Sequence, residues 1–140
     1  DPAPQPISRT GGGAAGLACL QEAIYFEAGG TGEAGRRAVG YVILNRAADP
    51  RFPSSICGVV HEGEGNGSGC QFSYRCDGRA ERIRDPYEYR KSGETARLVL
   101  SAKERDITGG ALFFHAASMP PGWFATRQRT GRFGGNIFYR

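Results

Sequence analysis

Apolar side chains from residue 17 onward recur at helical spacing. Leu17, Leu20 and Ile24 stand at i, i+3 and i+7, one face of a helix predicted to begin between residues 14 and 17 and to run to 28. The next position on that face is Glu27. A carboxylate there loses its hydration, so it must be paired, protonated or reactive. Gly29 and Gly30 stop the helix, which sets Glu27 in its last turn near the negative end of the helix dipole. Apolar surroundings and the dipole both raise its pKa toward that of a general acid at neutral pH. A glutamate leaning out from the edge of the stripe would leave the same pattern, so the helical wheel alone does not decide.

The pattern continues with a second helix over about 32–48, Thr31 at its N-cap and Ala38, Val39, Val42 and Ile43 on one face. Gly35 leaves room for a close neighbour, and the short break makes the two helices a hairpin with Glu27 at its bend. The prolines of 49–53 stop this helix. Ser54 or Ser55 caps a short third helix through 60, and His61 follows as a surface or cap residue. Residues 62–69 are polar and half glycine, a candidate lid or substrate-embracing loop. Asp85, Pro86 and Glu88 supply a cap, a first-turn proline and an acid at N3. The helix they open is predicted to reach about 103 with a break at Gly93, burying Ala96, Leu98, Val99, Leu100 and Ala102.

The last third turns to strands. Residues 111–116 read as one strand, and 123–127 and 131–139 as two or three more, with turns at Thr130-Gly131 and Gly134-Gly135. The fold class is α+β, a helical lobe followed by a small antiparallel sheet at the C-terminal end.

Length, charge and cysteines narrow this picture. A chain of 140 residues is one domain. Residues 1–16, with three Pro and four Gly, read as a flexible arm or linker ahead of a domain over 17–140. The start at Asp1 suggests that a targeting segment has been removed. No apolar run approaches the roughly 20 residues of a membrane span. Four Cys allow three pairings. Cys70 with Cys76, bracketing five residues, is the favoured pair, and Cys19 and Cys57 are the other candidates. The net charge of +4 comes from scattered Arg without a basic run or a nucleic-acid motif, so it suits an anionic wall or membrane face rather than DNA or RNA. Two His and four Cys without metal-ligand spacing predict no metal and no cofactor.

Residues 71–74 hold the second chemical signal. In an extended segment Gln71 and Ser73 share one face, alternating with Phe72 and Tyr74. Amides and hydroxyls for sugar oxygens, with rings to cover pyranose faces, suit a saccharide site; ordinary edge-strand alternation gives the same spacing. His115, ending an aromatic strand, and Trp123, the single Trp, are further candidate substrate contacts, each with a structural alternative.

The segments Ile24-Tyr25-Phe26-Glu27-Ala28, Ala38-Val39 and Val42-Ile43-Leu44-Asn45-Arg46 resemble the opening of the SleB/CwlJ-type cell wall hydrolase family. The likeness continues through Arg51-Phe52-Pro53, Ile56-Cys57-Gly58-Val59-Val60, Gln71-Phe72-Ser73, Asp77-Gly78 and Asn136-Ile137-Phe138-Tyr139-Arg140. Members commonly carry Ala-Arg-Gly-Glu after the first glutamate, where this chain has Ala28-Gly29-Gly30-Thr31. The resemblance implies a lysozyme-like cleft and a lytic transglycosylase acting on the β-1,4 bond after N-acetylmuramic acid, with Glu27 as its catalytic acid and 71–73 nearby. Ordinary glycoside hydrolysis takes two carboxyl groups, and Glu33, Glu62, Glu64 and Asp77 are the second acids on offer. A transglycosylase needs one, with Gln71, Ser73 and Tyr41 as candidate dipoles around the developing cation. Hydrolysis of the same bond by water, or a wall-binding module that does not cut, are the alternatives. Peptidoglycan strands are the expected partner of an exported, monomeric domain in the periplasm or envelope, with room for a regulatory protein.

Overall fold

The structure, a computed structural model, describes residues 13–62, 72, 74 and 82–140. The expectations for the 63–69 loop, Cys70, Gln71, Ser73, Cys76 and Asp77 lie outside the described residues. Helix α1 spans Gly13–Ala28, α2 Gly32–Ala47, α3 Ile56–Val60 and α4 Pro86–Leu100. Strands β1 (Phe113–Ala116), β2 (Arg129–Phe133) and β3 (Asn136–Tyr139) follow, an antiparallel sheet in the order β1-β3-β2. The α+β class with a small C-terminal sheet is what the sequence predicts. Helix α1 starts inside the segment assigned to the arm, with Gly16 already buried.

The apolar stripes of the helices form the core. Leu20, Ala23 and Ile24 of α1 meet Ala38, Val39, Val42 and Ile43 of α2, all fully buried. Gly40 is the point of closest approach: a Cβ there would stand 3.2 Å from Val99 and 3.3 Å from Ile24. A disulfide joins Cys19 of α1 to Cys57 of α3.

Four local expectations are corrected. Thr31 occupies the N-cap position of α2 without capping it; its hydroxyl donates back to the Ala28 carbonyl at 2.8 Å. Helix α4 runs unbroken through Gly93, because the missing side chain there admits Gln21 of α1, whose Nε2 donates to the Tyr89 carbonyl at 2.9 Å. It ends at Leu100, short of 103: Ser101 folds its hydroxyl onto the Leu98 carbonyl at 2.6 Å, and Ala102, exposed, turns into the left-handed region at φ 57°. The strand expected over 123–127 is instead mostly a 3-10 helix, Gly122–Thr126, since Pro121 sets the helical φ and its carbonyl accepts from Phe124 N at 3.1 Å.

Within β2, Thr130-Gly131 is a bulge rather than a turn: Arg129 pairs with Tyr139 and Gly131 with Phe138. Phe114 and Phe138 put one face of the sheet into the core. The sheet lies along α2. Its Gly134-Gly135 turn touches Gly35 and Thr31 at the start of that helix, while Leu112 at the other end accepts a 2.8 Å bond from Arg46 Nε.

Candidate functional site

Glu27 sits in the last turn of α1, half-buried, one turn beyond Ala23 and Ile24 on the stripe that enters the core. No group among the described residues hydrogen bonds or ion pairs with it. Burial alone pushes its carboxyl up from 4.5 to about 7. An acid so placed holds its proton near neutral pH and can also give it up there, as a group serving first as acid and then as base requires.

Aromatic rings shape the surroundings. Tyr25 meets Phe26 edge to face at 4.9 Å and Tyr89 at 5.6 Å, and Phe26 stacks on Tyr74 at 4.7 Å. The Tyr25 hydroxyl accepts from the backbone N–H groups of Arg84 and Asp85 at 3.1 and 3.0 Å, fixing the start of α4 against the end of α1. Tyr74 donates to Glu22 at 3.0 Å. These contacts hold α1's end rigid on two sides without neutralising Glu27.

The turn after Glu27 is clamped by a residue that sequence reasoning passed over. Arg36, only 7% exposed, donates to the Gly29 carbonyl (3.3 Å), to Glu88 of α4 (3.1 Å) and to Thr95 Oγ1 (3.4 Å). It precedes Val39 and Ile43 by three and seven residues, so it is a charge on an apolar stripe just as Glu27 is. That signal was available in the sequence.

The other sequence candidates are placed as follows. Tyr41 gives its hydroxyl to Glu104 at 2.7 Å, in a row with Arg37 bonded to Glu104 and Asn45 to Asp106; burial first, then that hydrogen bond, holds its phenol well above its ordinary pKa. Phe72 is 1% exposed and lies in the core beneath the Arg46 guanidinium. His115 Nδ1 faces the Ala116 carbonyl at 2.8 Å and must donate to it, which leaves Nε2 to accept from Tyr139 Oη at 2.7 Å in the neutral ring. Trp123 is 59% exposed beside Phe113 and Phe124. Gln71 and Ser73 are outside the described residues. No group of three His, Cys, Asp or Glu among the described residues is arranged to hold a metal.

Fold and site define a small α+β domain with a protonatable acid in the last turn of α1, near a cluster of aromatic rings. The chain belongs to the cell wall hydrolase family, whose match covers residues 30–139. Glu27 falls three residues ahead of that match. It is 34% identical over 122 residues to spore cortex-lytic enzymes of Halalkalibacterium halodurans and Bacillus subtilis. These alignments take in 85% of this chain and 33% and 35% of those proteins, so the chain spans about a third of the curated relatives it matches. Among solved structures, the catalytic domain of the Bacillus cereus SleB protein superposes with a TM-score of 0.73 at 24% identity over 91% of both chains. That of the germination-specific lytic transglycosylase SleB from Bacillus anthracis gives 0.70 at 26% identity, covering 93% of this chain and 98% of the other.

Proposed function

We propose that this domain is a peptidoglycan-cleaving lytic transglycosylase in which Glu27 is both acid and base. The observation that carries the proposal is the half-buried Glu27 carboxyl, without a partner among the described residues and raised to about 7; the relatives' printed activities on spore cortex and as a lytic transglycosylase support it. Glu27 protonates the glycosidic oxygen as the bond to C1 of N-acetylmuramic acid breaks, and N-acetylglucosamine leaves through its C4 hydroxyl. The carboxylate so formed takes the proton of the C6 hydroxyl, whose oxygen closes onto C1 as a 1,6-anhydro ring. The nucleophile is already part of the substrate, so no second carboxylate is needed to activate water and no second reactant is ordered.

Gln71 and Ser73 are the proposed contacts to the sugar, since Tyr41 has given its hydroxyl to Glu104. The site of action is the cell envelope, to which the Cys19–Cys57 disulfide is suited. The test is digestion of purified sacculi by wild type and by Glu27→Gln. Wild type is expected to release anhydro-ended fragments by mass spectrometry, and the variant to lose at least about a thousandfold of that rate while still sedimenting with the wall. Reducing-end products would establish hydrolysis by water instead, and an unchanged rate in the variant would remove Glu27 from the chemistry.

A further inference from the structure

At the end of α2 away from Glu27, a cavity of about 490 Å³ opens among Asn45, Asp49, Arg51, Gly110, Arg127 and Arg140. From Gly32 to Asn45 the helix rises roughly 20 Å at about 1.5 Å per residue, so this is a separate site. Its three arginines are not equivalent. Arg51 is spent on Asp49, through bonds of 2.9 and 2.8 Å that hold that carboxyl down to about 2. Arg127 and Arg140 have no acidic partner among the described residues.

The two guanidinium groups have other neighbours instead. Arg127 lies over Phe113 at 4.4 Å and Trp123 at 5.2 Å. Arg140 is laid against Gly110, where a Cβ would come 3.6 Å from its Nε. Gly110 is fixed in turn, its N–H bonded to Asp106 at 3.0 Å and its φ at +87°. A guanidinium already stacked on rings, as that of Arg127 is, loses less entropy when it takes a carboxylate or phosphate.

Asn45 supplies the discriminating group. Both hydrogens of its amide are used, on Asp106 and on the Ala111 carbonyl, each at 2.9 Å. Its amide oxygen has no donor among the described residues, which leaves an acceptor on a residue that lines the cavity. Two cationic forks beside one acceptor match a carboxylate that has an amide N–H close by, the pattern at the end of a peptide or on an acidic residue within it. A phosphate monoester bound at neutral pH offers that acceptor little.

We propose that this cavity binds the free carboxylates of peptidoglycan stem peptides, gripping the wall roughly 20 Å from the point of cleavage. The inference rests on the reading of the domain as peptidoglycan-cleaving. It adds that the domain reads the peptide as well as the glycan.

The experiment compares Arg140→Gln and Arg127→Gln/Arg140→Gln, each on a Glu27→Gln background to prevent cleavage. Affinity is measured by cosedimentation for sacculi with stems and for sacculi stripped of them by an amidase, with free stem tetrapeptide and inorganic phosphate as competitors. Intact sacculi should bind the parent at least about tenfold more tightly than the double variant, with Arg140→Gln in between. Stripped sacculi should bind all three alike, and the tetrapeptide should compete where phosphate at the same concentration does not. Lys at both positions should restore part of the affinity, and unchanged melting of Arg140→Gln excludes a folding defect. Equal binding of intact and stripped sacculi by the parent, unchanged affinity in the double variant, or competition by phosphate alone overturns the proposal. Fragment release by the wild-type chain is scored separately: its failure refutes the cleavage reading, whereas stem-independent binding with normal release refutes only the pocket.

Discussion

Two ionisable side chains stand on apolar helix faces on either side of the Gly29–Thr31 turn, and the fold treats them in opposite ways. Arg36 is enclosed and given three acceptors, so its charge is kept and used to tie α2, α4 and the turn together. Glu27 is half-buried and given none among the described residues, so the cost of burial is met by protonation instead. A buried charge with partners is architecture, and one without them is a titratable group held ready for chemistry. The clamp also serves the acid: by holding the Gly29 carbonyl, Arg36 fixes the backbone two residues beyond Glu27.

The comparison is broken most severely by removing the partnered charge. Arg36→Ala leaves Glu88 without its ion pair and the Gly29 carbonyl without its side-chain donor, and is expected to cost about 3–5 kcal/mol in urea unfolding. A loss below about 1 kcal/mol would show that the three bonds are incidental.

Removing the unpartnered charge should do the reverse. Between about 4.5 and 7 the folded state keeps a proton on Glu27 that the unfolded chain releases. Stability therefore falls as pH rises through that window and levels off above it. Glu27→Gln, which carries no charge to desolvate, should match wild type near pH 4 and exceed it by about 2–3 kcal/mol at pH 8. A variant less stable than wild type at pH 8 would mean that Glu27 has a stabilising partner after all.

The same contrast shows what could be read from the chain. Helical periodicity located α1 and α2, because each buries a continuous stripe, and it singled out Glu27 because an acid interrupts one; α4 was legible from its start, where Asp85, Pro86 and Glu88 supply the cap. Arg36 interrupts another in the same way, yet arginine is so commonly solvated that this pattern alone does not mark a buried residue. Gly93 misled because its local cost in a helix is visible in sequence, whereas its reason, the side chain of Gln21 on another helix, is tertiary. Trp123 misled because aromatic content suggests strand, while Pro121 and the positive φ of Gly122 impose a turn of 3-10 helix. The arginine cavity was invisible for a related reason. Asn45 with Asp49, Gly110, Arg127 and Arg140 come from four separate parts of the chain, and only the sheet's course along α2 brings them together.

The titration of Glu27 itself tests the account most directly. Carbon-13 NMR of the side-chain carboxyl, assigned through Glu27→Gln and followed from pH 3 to 9, should show a midpoint near 7. The rate of fragment release from sacculi should fall through the same midpoint as pH rises, because the acid must begin protonated. A midpoint near 4.5, the ordinary glutamate value, would contradict the claim that burial holds this carboxyl ready to donate.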